Sequence, residues 1–121
     1  MLIISGITLL ENKNIIYALP KLYGIGITKA QQICKELGFS SQTRIINLTE
    51  DERFSLIKKI KEEYIVEESL RDVIKNNIQH NISNGSLRGY RYRNKLPVRG
   101  QRTHTNAKNA RKTILDLSKK V

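Results

Sequence analysis

The residues best suited to chemistry are concentrated near the C-terminus. Arg88-Gly-Tyr-Arg-Tyr-Arg93 interleaves guanidinium groups with aromatic rings; each Arg fork can pair bidentately with a phosphate, while Tyr90 and its neighbour can stack on bases or ribose. After Lys95, the run Leu96-Pro-Val-Arg-Gly-Gln-Arg-Thr-His-Thr-Asn-Ala107 spaces cations with small and polar side chains, so a thin chain can enter an RNA groove without steric conflict. The candidate RNA contacts are Arg88, Tyr90, Arg91, Arg93, Lys95, Arg99, Gln101, Arg102, Thr103, His104, Thr105, Asn106, Lys108, Arg111 and Lys112. The arginines are expected to meet phosphates rather than base edges, which makes affinity steeply salt-dependent and weakly sequence-dependent.

A second candidate is Leu22-Tyr23-Gly24-Ile25-Gly26-Ile27-Thr28-Lys29. Two glycines separated by one apolar residue permit a tight turn with at least one positive φ, and the next helix would present free backbone N–H groups to a phosphate. The pattern is that of a helix-hairpin-helix element of the H2TH type, with Gly24, Ile25, Gly26 and Lys29 as its turn. A purely structural turn and an RNA or protein contact fit it equally. A Gly26→Val change is then expected to cost about 1–3 kcal/mol, the usual range for forcing such strain. The Gly-Lys-Ser/Thr ending of a nucleotide-binding loop is missing.

Nothing in the pattern supports catalysis, a cofactor or a metal. Cys34 is the only cysteine and falls on an apolar helical stripe, where a small buried hydrophobe is expected rather than a reactive thiol. His80 and His104 lie far from it and from each other, without metal-ligand spacing or a nucleophile partner. Glu50, Asp51 and Glu52 read as charges in the first turn of a helix rather than a metal cluster.

What must position these groups is limited by size. The chain has 121 residues, 39% of them apolar and 6% aromatic, with no Trp, so one domain with a modest Ile/Leu core is expected. Its net charge of +11 is costly to a compact body unless an anionic partner is present. Residues 1–85 hold eleven basic and ten acidic side chains, whereas residues 86–121 hold eleven basic side chains and a single acid, Asp116. The division implies a nearly neutral helical body, 1–85, followed by an extended basic RNA-binding extension, 86–121. Leu96, Val98, Ala107 and Ala110 are the only apolar side chains in 95–112, too few to order that stretch without phosphates. No apolar run approaches the roughly 20 residues of a membrane span, and no leader pattern is visible at the start.

The body reads as all-α, with four helices and no convincing strand. Ile15, Ile16 and Leu19 mark a short first helix that Pro20 ends or kinks. Thr28 is the expected cap of a second, with Ala30, Ile33, Cys34 and Leu37 buried and Gly38 closing it. Thr49 and Glu52 form a capping box for a third, with Phe54, Ile57 and Ile60 inward and its end near Tyr64. Leu70, Val73, Ile74, Ile78 and Ile82 mark a fourth from about Glu67 to Ser83, closed by Asn84-Gly85.

Ser5-Gly6-Ile7, Tyr-Gly-Ile-Gly at 23–26, Leu-Thr-Glu at 48–50, Arg88-Gly-Tyr-Arg and above all Leu96-Pro-Val-Arg-Gly-Gln-Arg-Thr-His-Thr-Asn-Ala107 resemble the ribosomal protein S13 (uS13) family of the small subunit, colinearly from about residue 3 to Lys112. The resemblance implies a helical body in the head of the small subunit that binds rRNA, contacts ribosomal protein S19, bridges to large-subunit protein L5 and reaches toward P-site tRNA. Two departures stand out: Pro20 falls where the family continues its first helix, and after Lys112 the usual basic end is replaced by Thr113-Ile-Leu-Asp-Leu-Ser-Lys-Lys-Val121, which places the tRNA contact of those nine residues in question. The wealth of Ile, Asn and Lys and the Arg-Thr-His-Thr-Asn-Ala run are similar to mitochondrial members, implying an organelle-encoded protein of the mitochondrial ribosome in the matrix, with a plastid or bacterial cytoplasmic origin as the alternative. The alternative function, from the hairpin alone, is a DNA-binding helix-hairpin-helix accessory protein.

Overall fold

The computed structural model describes residues 1–105 and 107–112; Asn106 and residues 113–121 lie outside the described residues. The chain forms two compact units, one from Met1 to Arg71 and one from Asp72 onward.

The first unit opens with two strands, β1 (Leu2–Ile4) and β2 (Ile7–Leu9), paired antiparallel with Leu2 opposite Leu9 and Ile4 opposite Ile7. Ser5 and Gly6 join them with φ of 49° and 82°, two consecutive left-handed residues whose twist suits a two-residue hairpin. The body is mostly helical as expected, and among the described residues this small hairpin is the one strand feature that the sequence did not show. Three-residue strands are too short to show a period, but alternate side chains Leu2, Ile4 and Leu9 are buried and tie the hairpin to the core.

Four helices follow or begin in this unit: α1 (Ile15–Ala18), α2 (Ile27–Glu36), α3 (Glu50–Glu63) and the start of α4 (Glu67–Ser83). Helix α1 gives way after Ala18 to a 3-10 turn, Leu19–Lys21, that contains Pro20, so the α-helix ends at the proline as expected. The N-cap of α2 is Gly26, without a side-chain cap bond, and not Thr28. Its C-terminus closes as expected: Gly38 has φ of 75°, Gly38 N–H donates to the carbonyl of Lys35, and Phe39 N–H donates to that of Cys34 at 2.8 Å. The capping box of α3 is present, Thr49 accepting from Glu52 N–H while the Glu52 carboxylate accepts from Thr49 N–H at 2.9 Å. Of its expected inward residues, Ile60 is buried and Ile57 packs against the core, but Phe54 is 70% exposed and Leu56 is buried instead.

The core is aliphatic, with Ile4, Leu9, Ile15, Leu19, Leu22, Ile33, Ile45, Leu56 and Ile60 fully buried. Cys34 belongs to the same cluster, and burial pushes its thiol pKa up, as befits an inert packing residue. Lys59 on α3 meets Glu36 at 2.8 Å and Glu63 at 2.9 Å, linking α2 to α3. Its hydrogen bonds to Glu36 and then Glu63 hold its pKa above the ordinary lysine value, and the bond to Lys59 holds Glu36 below the usual carboxylate value.

The second unit contains the rest of α4 and a further helix, α5 (Leu87–Arg93). The basic stretch is therefore helical at its start rather than extended from residue 86, and the backbone is helical again over 108–112. Helix α4 spans the expected range, but its predicted inward stripe is only half-covered: Val73 and Ile74 are 40% and 39% exposed.

The glycine turn meets its conformational expectation at a different residue. Gly24 has φ of 110°, and a β-carbon there would lie 2.9 Å from both the Ile65 carbonyl and Leu70 Cδ2. Gly26, with φ of −99° and open space around it, is unconstrained, so the cost expected for Gly26→Val belongs instead to Gly24. We predict that Gly24→Ala loses about 1–3 kcal/mol, while Gly26→Ser at the N-cap of α2 changes stability by only a few tenths of a kcal/mol. Urea unfolding midpoints of the two variants check this; equal losses would contradict it.

Candidate nucleic-acid interface

Each half of the candidate site rests on its own local device. At the glycine turn, Ile25 is buried and Lys29 turns back on the hairpin: its ammonium donates to the Gly24 carbonyl at 3.1 Å and lies 5.8 Å from the centre of the Tyr64 ring. Lys29 thus braces the turn. The residue that fixes the turn most firmly is Glu67, whose carboxylate is buried and accepts from Tyr23 N–H at 2.7 Å, while Glu67 N–H donates to the Tyr23 carbonyl at 2.9 Å. Arg71 completes the arrangement, 3.4 Å from the second Glu67 oxygen and 5.0 Å over the Tyr23 ring. Sequence reading missed Glu67, because an acid at a helix start looks like an ordinary dipole-compensating charge.

In the second unit, α5 is built by a serine and a glycine. Ser86 Oγ donates to the Asn81 carbonyl at 2.9 Å, near the end of α4, and accepts from Gly89 N–H at 3.1 Å as the N-cap of α5. A β-carbon on Gly89 would overlap the Asn81 carbonyl and stand 2.7 Å from Ile82 Cα, so α5 approaches α4 as closely as it does only because residue 89 is glycine. This gives the Arg88-Gly-Tyr-Arg motif a packing reason. The turn between the helices is formed by Gly85, with φ of 67°.

Helix α5 ends in a two-bond reversal: Lys95 N–H donates to the Tyr92 carbonyl and Leu96 N–H to that of Arg91 at 2.9 Å. Lys95 occupies the left-handed position of that reversal, with φ of 60°, where glycine is usual. Arg91 is half-buried and donates to the Pro97 carbonyl at 3.4 Å, which gives it a share in folding the chain back. Arg88, Tyr90 and Arg93 are exposed, whereas Tyr92 is half-buried. The alternation of Arg and Tyr seen in the sequence becomes, on a helix, an outer set and an inner set.

Beyond α5, Lys95, Arg99, Gln101, Arg102, Thr103, His104, Thr105, Lys108, Arg111 and Lys112 are all exposed. Arg91, Gln101, Arg102, Thr103, His104 and Thr105 come together around an open cleft of about 550 Å³. Its lining supplies two guanidinium groups, an imidazole, an amide and two hydroxyls, a donor-rich set suited to phosphate oxygens and ribose hydroxyls. From Ser86 to Lys112 the chain contains no acid to compete with phosphates. Among the described residues there is no His/Cys/Asp/Glu group able to hold a metal, and no helix long and apolar enough to cross a membrane.

Comparison with known proteins points the same way. Residues 3–109 match the family model described as ribosomal protein S13/S18. The small ribosomal subunit protein uS13m of Marchantia polymorpha is 43% identical over 109 residues, covering 90% of this chain and 91% of that protein.

The close approach of α5 to α4 gives a prediction. Gly89→Ala should destabilise the helix pair by about 1–3 kcal/mol, the usual cost of forcing a methyl into filled space. Hydrogen exchange of the amides over 86–93 should accelerate while that of α3 stays unchanged; undisturbed exchange over 86–93 would show that the contact is relaxed in solution.

Proposed function

The chain belongs to the ribosomal protein S13 family, a family of structural and not catalytic proteins of the small ribosomal subunit, and from that premise we propose that it binds rRNA through residues 88–112 in the mitochondrial ribosome. The observation that carries the proposal is the acid-free stretch after Ser86, whose cations stand exposed and partly converge on one donor-lined cleft. In this reading residues 86–121 are the RNA-binding extension and residues 1–85 the scaffold. Arg88, Arg93, Arg99 and Arg102 neutralise phosphates; Tyr90, 62% exposed, offers a stacking face. Gln101, Thr103, His104 and Thr105 hydrogen-bond ribose and phosphate, Lys95, Lys108, Arg111 and Lys112 add charge, and Arg91 both shapes the cleft and faces it. Asn106 belongs to the same run by sequence.

The free energy for ordering such a stretch comes from counterion release, because each phosphate neutralised frees a condensed cation. Membership of the family also supports contacts with ribosomal protein S19, with large-subunit protein L5 across the subunit bridge, and with P-site tRNA. The DNA-binding alternative drew on the glycine hairpin, where the Lys29 ammonium donates to the Gly24 carbonyl; the acid-free stretch after Ser86 and the family match favour the rRNA reading over it.

The protein should sediment with small ribosomal subunits at physiological salt; failure to do so would refute the proposal. On isolated rRNA, Arg99→Ala and Arg102→Ala should each flatten the slope of log affinity against log salt by about 0.7–0.9, without altering base preference. A changed base preference with an unchanged slope would make these residues base readers instead.

A further inference from the structure

Three non-glycine residues among the described ones hold the left-handed backbone: Ser5, Glu67 and Lys95, with φ of 49°, 52° and 60°. In that conformation a β-carbon crowds the following carbonyl oxygen, so it persists only where something else compensates. For two of the three the compensation lies within the fold. Ser5 turns a hairpin whose flanking residues, Ile4 and Ile7, pair across the two strands. Glu67 gains two hydrogen bonds from the Tyr23 backbone and an ion pair from Arg71.

Lys95 has no such gain. The bonds that close its reversal, from Lys95 N–H to the Tyr92 carbonyl at 3.3 Å and from Leu96 N–H to the Arg91 carbonyl at 2.9 Å, are made by the backbone alone, and glycine would make them without the crowding. The lysine is exposed, and among the described residues its ammonium has neither an ion pair nor a hydrogen bond. Nor does the C-terminus of α5 need another positive charge, because Arg91 and Arg93 already stand in its last turn. A cation four residues after Arg91 adds repulsion instead. Strain and repulsion are both relieved by an anion from outside the chain.

The position of Lys95 indicates which anion. Leu96, the next residue, bonds to the Arg91 backbone, while the Arg91 side chain donates to the Pro97 carbonyl and lines the cleft with Gln101, Arg102, Thr103, His104 and Thr105. Lys95 therefore stands at the corner that leads the chain from α5 toward the cleft, with exposed Arg93 before it and exposed Arg99 after it. Resting on the rRNA reading above, we propose that Lys95 is an anchoring contact of that interface: its left-handed backbone fixes the ammonium at this corner, where it holds one phosphodiester of the RNA strand. Its place, and not merely its charge, is what the RNA uses.

The test uses the full chain and isolated rRNA. In the RNA-free protein, Lys95→Gly should slow hydrogen exchange of the amides over 91–96 about fivefold, because the strain is gone. The same variant should bind rRNA about tenfold more weakly. Lys95→Arg, which keeps the charge in place, should bind as the parent does, whereas Lys95→Gly with Asn94→Lys, which returns the charge one residue too early, should not recover the lost affinity. Binding by Lys95→Gly as tight as the parent's, or full recovery by the displaced lysine, would overturn the proposal; faster exchange over 91–96 would also overturn it, by making the lysine a structural residue. Arg99→Ala and Arg102→Ala, measured alongside, keep two failures apart. If they weaken binding and Lys95→Gly does not, the anchor alone is refuted; a parent protein that does not bind rRNA refutes the rRNA reading itself.

Discussion

One buried carboxylate holds the glycine hairpin to the start of α4. Glu67 exchanges two hydrogen bonds with the backbone of Tyr23, one through its side chain and one through its own amide, and the one to the carboxylate is of the charged kind that contributes about 1.5–3 kcal/mol. It does so from a left-handed conformation, φ of 52°, which a non-glycine residue adopts only when its surroundings compensate. The absence of a side chain at Gly24 lets Ile65 and Leu70 close on the turn. Arg71 completes the charge balance while lying on the Tyr23 ring. The hairpin is thus a fastening that holds the first turn of α4 within the first unit.

The distribution of charge then determines what the rest of the chain can do. Residues 1–85 nearly neutralise themselves, and their aliphatic core is one cluster of residues between Leu2 and Val66. Residues 86–112 contain no acid, so their self-repulsion is relieved only by anions from outside. The fold spends few apolar side chains on this stretch and uses local devices instead: a serine cap, a glycine contact and a left-handed lysine. These devices build α5 and leave Arg88, Tyr90 and Arg93 on it exposed.

Much of this was legible in the sequence wherever the signal is local. The capping box at Thr49, the ends of α4 and the Gly38 terminus depend on neighbours within a turn, and each forms as read. The β-hairpin escaped because three-residue strands carry too little pattern, although Ser5-Gly6 marks their turn. Phe54 was turned the wrong way because i, i+3 spacing fits two faces of α3, and only tertiary packing selects Leu56 and Ile60. Of the candidate interface, residue types were readable and geometry was not: helix α5, the inner position of Arg91 and the bracing role of Lys29 depend on partners distant in sequence or on conformation. Buried Glu67 had no local signature at all.

The account turns on the claim that the exposed cations of residues 88–112 are held by rRNA phosphates. A map of the assembled small subunit, at a resolution that shows side chains, tests it most directly. Arg88, Arg93, Arg99 and Arg102 should each place a guanidinium nitrogen within about 3 Å of a phosphate oxygen, with the Arg91 to Thr105 cleft occupied by the RNA backbone. Finding these side chains in solvent or against protein, with RNA gathered at the glycine hairpin instead, would contradict it.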